Sequence, residues 1–184
     1  MPAPRRSVPL GTLLVTLLLA AGCGTTEPAP LEAVQPEVPA DLCATVPAAT
    51  KQGLIANSNS DEGGNPTAAC SLRSADGAAT QVRAVVTWVQ TNDDATAEDV
   101  LGSQCRAIDR SQFKEQNGFR AAGADKACAA SGRIDGADSA TLAAVAGREV
   151  FTVRLSSLPP GDAPALGRAT DMLEGVIGSL AGSS

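Results

Sequence analysis

The chain has 184 residues, with 14 Lys plus Arg against 20 Asp plus Glu, a formal charge of −6, five Cys, no Tyr and no His. Nucleic-acid binding needs clustered cations that displace counterions from phosphates, and an acidic chain with no basic run excludes that partner. Without His, Ser-His and Cys-His nucleophile pairs and His-containing zinc sites are excluded too, and one Trp with three Phe leaves little surface for stacking rings.

Arg5 and Arg6 are followed by an apolar run, Leu10 to Ala21, broken only by Gly11, Thr12 and Thr16. A bilayer span needs about 20 apolar residues, so this stretch reads as the core of a signal peptide covering residues 1–22. The run ends in Leu19-Ala20-Ala21-Gly22-Cys23. This ending resembles the bacterial lipobox, and the resemblance implies that Cys23 receives a diacylglycerol and becomes the first residue of the mature protein. Cleavage there removes both arginines of the leader and makes the chain more acidic. Attachment to an anionic membrane surface then comes from lipid rather than from charge. The location this implies is the outer face of the cytoplasmic membrane.

Residues 23–40 follow as the lipidated Cys and a tether. Four Pro and three Glu between Gly24 and Ala40, with almost no bulky apolar side chain, cannot nucleate a core. A Pro-rich segment extends by about 3.1 Å per residue, enough to hold a domain up to roughly 50 Å from the membrane. Residues 41–184 suit one globular domain. The domain holds the other four cysteines, and in an oxidising compartment an even number invites disulfides. Three pairings are possible. Cys43 with Cys70 and Cys105 with Cys128 are favoured, because each closes a local segment. Wide gaps between the four cysteines argue against a Cys-x-x-Cys metal site.

In chain order, Pro47 to Ile55 reads as a short helix with Pro early in its first turn, and Asn57 to Thr67 as a polar, Gly-rich loop. Ala69 to Ser74 and Ala79 to Gln90 form a hairpin across Asp76-Gly77. Val82, Ala84, Val86 and Trp88 share one face of its second strand, and the other face is partly apolar, which predicts a central strand covered on both sides. Thr96 and Asp99 resemble a capping box for a helix running to about Ser111. Its apolar face is Ala97, Leu101, Cys105 and Ile108. Asn117-Gly118 is a turn, followed by a short strand at Phe119 to Ala122 and a helical turn at Asp125 to Ala130. Ser139 to Ala146 and Glu149 to Ser156 form a second hairpin across Gly147-Arg148, with Gly placed for a type II′ turn. A final helix from Pro164 to Leu180 carries Leu166, Ala169, Leu173, Val176, Ile177 and Leu180 along one stripe. The expected fold class is α+β, an antiparallel sheet of about five strands packed by about three helices and stapled by two disulfides.

With its lipobox, Pro-rich tether, Asp41-Leu42-Cys43, strand-opening Cys70 and Gly123-Ala124-Asp125 turn, the chain resembles the uncharacterised cell-surface lipoproteins of high-GC actinobacteria. A composition of 34 Ala, and 11 Arg against three Lys, fits such a genome. The family it points to has no established activity, so the resemblance implies no catalytic residue.

Three groups of residues bear on chemistry. Asn57-Ser58-Asn59-Ser60-Asp61 spaces oxygen ligands like the start of a calcium loop, but Glu62 and Ala68 stand where that loop needs Gly and Glu, so a polar loop is expected. Asp93, Asp94, Glu98 and Asp99 could serve a carboxylate-based hydrolase, although a helix N-terminus explains them more simply. Lys51, Lys114 and Lys126 are the only lysines a Ser-Lys dyad could draw on, and the single Trp88 belongs to the core. The sequence therefore implies no catalytic residue, metal or cofactor. It points to a non-catalytic binding or accessory module at the cell envelope. The partners expected are the membrane, through the lipid on Cys23, and an envelope protein or small ligand. The alternative is a carrier of an apolar small molecule or lipid.

Overall fold

Strands need paired backbone, and some here also show the period-two burial of a sheet with a core on at least one side. The computed structural model describes residues 37–109, 113–160 and 164–181. The signal segment, Cys23 and the tether as far as residue 36 lie outside the described residues. The element order is α1 (Leu42–Thr45), β1 (Leu54–Asp61), β2 (Thr67–Ser74), β3 (Gln81–Gln90), α2 (Asp94–Asp109), β4 (Lys114–Glu115), β5 (Lys126–Ile134), β6 (Ala137–Ala146), β7 (Glu149–Leu158) and α3 (Ala165–Ala181). The class is α+β. One antiparallel sheet runs β1-β2-β3-β7-β6-β5-β4, so the expected five strands become seven.

The extra strands arise where side-chain pattern is a poor guide. β1 replaces the first part of the expected loop at Asn57 to Thr67, as far as Asp61. It is a polar edge strand, exposed along most of its length, held by backbone pairing from Leu54 opposite Ser74 to Asp61 opposite Thr67. β5 replaces the expected helical turn at Asp125 to Ala130. Its Ala-rich run favours helix by propensity, yet it pairs with β6 along its whole length through an Asp135-Gly136 turn whose φ angles are both positive, 50° and 80°. Phe119 to Ala122 is not a strand, and the short strand lies earlier, at β4. The expected helix at Pro47 to Ile55 is also displaced. Pro disfavours helical geometry in the residue before it; Val46 is extended at ψ 129°, so α1 ends ahead of Pro47 instead of starting there.

Cross-strand register sorts the side chains into two faces. Ser58, Cys70, Val86, Val153, Leu142 and Ala129 form one row of the first face. α1 covers its β1-β3 side and α3 its β5-β7 side. The core between them contains Trp88, Phe151, Leu142, Met172, Leu173, Val176 and Ile177, all essentially inaccessible, and burial of each such side chain contributes about 1.5–3 kcal/mol. Leu166 and Leu180 border the same core, so the predicted stripe on the last helix is the one that packs. Val38, within the span assigned to the tether, is half-buried against it.

Polar ties to distant segments fix α3. Asp138 Oδ2 on β6 accepts from Ala165 N at 2.7 Å and caps the helix start. Arg168 Nε and Nη2 donate to the Thr50 carbonyl at 3.0 and 2.6 Å, and Glu174 Oε1 accepts from Ala122 N at 2.8 Å. At the far end of the core Glu149 lies opposite Gln90. Trp88 Nε1 approaches its carboxylate without hydrogen-bond geometry and stays unpartnered, as does Gln90 Oε1. Burial pushes the Glu149 carboxyl above its ordinary value, against weaker opposing pulls from the Trp88 N–H and Arg148.

Two tests follow from this packing. A Cβ at Gly175 would collide with the Pro47 ring, whereas one at Gly178 would meet nothing within 4 Å. Gly175→Ala should therefore cost about 1–3 kcal/mol by overpacking, and Gly178→Ala should add up to about 1 kcal/mol through helix propensity, both measured by urea denaturation. Because the folded chain holds the Glu149 proton more tightly than the unfolded chain, its stabilising contribution is complete below the ordinary carboxylate value and is lost as pH rises through the raised one. A series of Tm values against pH should show that decline in the parent and a flatter profile in Glu149→Gln, with the variant the more stable at neutral pH.

A candidate functional site between helix α2 and the open sheet face

The second face of the sheet is covered only in part. Ala97, Leu101 and Ile108 of α2 pack on Ala130, Ala143, Val145 and Val150 of β5, β6 and β7, with the half-buried Cys105 turned inward among them. Two links fasten the helix to β5. The Cys105–Cys128 disulfide spans 5.8 Å between Cα atoms, and Lys126 Nζ meets Glu98 Oε1 at 2.7 Å. A second disulfide, Cys43–Cys70, joins α1 to β2 on the opposite face. Held over β4 to β7, α2 leaves the second face of β1 to β3 uncovered, where Ile55 and Val85 are 48% and 40% exposed.

Where the covered and uncovered halves meet, a groove of about 420 Å3 opens, within the range of small-molecule sites of about 300–1,000 Å3. Ala107 and Ile108 from the last turns of α2, with Phe113, form its apolar wall, and Gln104 lies one turn earlier. Its floor is built from adjacent rows of the sheet. Val85, Arg154 and Thr141 stand in one row and Arg83, Ser156 and Ser139 in the next. Arg83 and Arg154 are therefore diagonal neighbours on β3 and β7. Both are exposed, and neither has an ion-pair or hydrogen-bond partner among the described residues. A second cavity of about 400 Å3 follows the stretch from Gly118 to Ala127. Two of its charged groups are already engaged, Asp125 with Gly147 N and Lys126 with Glu98.

The other candidates take structural places. Asp93, Asp94, Glu98 and Asp99 are exposed at the start of α2, and none of the four lines the groove. The cap is Asp93 and not the expected Thr96 box: Asp93 Oδ1 accepts from Thr96 N at 2.7 Å, and that hydrogen bond holds its carboxyl below the ordinary value. The calcium-like segment from Asn57 to Asp61 is strand, so its oxygens alternate between faces and cannot converge. Among the described residues no group of three His, Cys, Asp or Glu side chains is placed to hold a metal ion. Lys51 donates to the Cys43 carbonyl at 2.6 Å. Trp88 is 1% exposed, in the core.

The groove residues were half-visible in the sequence. Strand alternation already puts Arg83 and Val85 together on one face, and Thr152 and Arg154 together on another. The β3-β7 pairing, which no local pattern encodes, brings those two faces side by side. Comparison of the chain with protein-family models, curated proteins and solved structures finds no match.

Position of α2 is the quantity to test. Replacing both Cys105 and Cys128 with Ser removes a crosslink with a sequence separation of 23 and should cost about 3 kcal/mol in urea denaturation. Native-state hydrogen exchange should show α2 amides losing protection ahead of those of α3, as the wall of the groove comes loose.

Proposed function

We propose that this chain is a lipid-anchored, extracytoplasmic, non-catalytic binding module whose ligand site is the groove between α2 and the sheet. The observation that carries the ligand-binding half of this reading is the groove itself, concave and apolar along one wall, with unpaired polar groups converging on its floor. The anchored half rests on Arg5-Arg6, the apolar run to Ala21 and the lipobox-like ending at Cys23. Two disulfides in the domain accord with an oxidising compartment. No helix of the described residues is long and apolar enough to cross a membrane.

The carrier reading is favoured by the same apolar wall, but the groove runs along an open sheet face, and binding at a surface asks less of it than enclosure. Nor do the four carboxylates suit a hydrolase: they lie apart from the groove, and of the four Asp93 and Glu98 are already engaged in the cap and an ion pair.

Cells expressing the full chain and fed an alkyne analogue of palmitate should incorporate the label into the parent protein and not into Cys23→Ser. Equal labelling of the two would overturn the anchor. Native mass spectrometry of the full chain released from membranes should show a small-molecule adduct, and a clean unliganded mass would count against the binding reading.

A further inference from the structure

The second face concentrates positive charge on an acidic chain. Arg73 and Arg83 are direct cross-strand partners on β2 and β3, and Arg154 is diagonal to Arg83 on β7. Like charges facing each other across strands destabilise a sheet, so three arginines in adjacent strands are a cost unless something anionic meets them. Arg73 has such a partner within the chain, Asp76 at 3.4 Å, in a largely exposed pair. Arg83 and Arg154 have none among the described residues, and those two line the groove.

The surroundings of the two guanidinium groups narrow the ligand. Val85, Ala107, Ile108 and Phe113 present hydrocarbon beside them, which a purely ionic ligand would leave in water. A purely apolar ligand would in turn leave both arginines unmatched. Only a molecule with an anionic head and an apolar body satisfies both. The head is better a monoanion than a phosphate dianion, because Ala107 and Ile108 belong to the C-terminal turns of α2, where the helix dipole is negative. A carboxylate meets the planar guanidinium fork in bidentate geometry.

On the binding reading above, we propose that the groove takes a single-chain fatty carboxylate. Its carboxylate is held by Arg83 and Arg154, and its acyl chain lies along Val85, Ala107, Ile108 and Phe113. Arg73 stays outside the site, occupied by Asp76.

The test uses the full chain reconstituted in phosphatidylcholine vesicles and photolabelled with diazirine-bearing lauric acid, with the labelled peptides mapped by mass spectrometry. Label should fall on the peptides holding residues 83–85, 104–108 and 154–156. A diazirine-bearing dodecanol of the same length should label those peptides about tenfold less, and Arg83→Gln/Arg154→Gln should reduce acid labelling by about the same factor, two exposed charge contacts together amounting to roughly one decade. Arg73→Gln should label like the parent, and circular dichroism with a non-reducing gel should show that every variant keeps its fold and both disulfides. Equal labelling by acid and alcohol within the groove would overturn the carboxylate assignment and leave the binding reading standing. Stronger labelling by a diazirine lysophosphatidate would overturn the choice of head group. Absence of groove labelling by all three probes would overturn this proposal and remove the groove from the proposed function.

Discussion

The bond between Cys105 and Cys128 decides where α2 can lie, and the second face of the sheet takes its form from that decision. A helix of 16 residues cannot cover seven strands. Tied to β5 by a disulfide and by the Lys126–Glu98 ion pair, it shields the β4-β7 half and ends its cover at β7. The ion pair is largely exposed and worth at most about 1 kcal/mol, so the covalent link dominates. The groove is the step left at the limit of that cover.

The two faces are built to different rules. On the first, α1 and α3 together span the sheet, and the side chains are those of an ordinary core, large and fully buried. Small residues let two layers approach the same strands: Ala129 and Ala130 on β5, and Ala143 and Ala144 on β6, are fully buried on opposite sides. The second face beyond α2 carries Asn, Ser, Thr and Arg with isolated Ile55 and Val85, a composition that tolerates water. An unshielded apolar face of that width would invite association. The polar β1, at the sheet edge, likewise discourages edge-to-edge pairing.

Much of this fold was legible in the sequence wherever periodicity and turn chemistry agreed. The β6-β7 hairpin follows from alternation on both sides of Gly147, whose φ of 55° suits the type II′ turn. The stripe on α3 and the inward face of α2 are also plain in their spacing. Two of the failures have a clear physical reason. β1 lies at an edge over little core and needs no hydrophobic pattern, so only its pairing with β2 makes it a strand. β5 is rich in Ala because helices crowd it from both sides, and Ala in isolation favours helix; the Asp135-Gly136 turn was the available signal for it. For the site, alternation exposed which residues share a face, but the juxtaposition of Arg83 and Arg154 depends on strands far apart in sequence.

The polar ties of α3 have a consequence for durability. Its cap comes from β6, its Arg168 holds a carbonyl 118 residues away, and its Glu174 holds an amide 52 residues away. No local segment supplies these partners, so the helix cannot fray from its start without freeing Asp138, nor lift without releasing the loop at Thr50. Protease cleavage needs a stretch of chain to open. A domain whose closing helix is tied to three remote segments offers few partial openings, and its resistance to digestion would then approach its global stability.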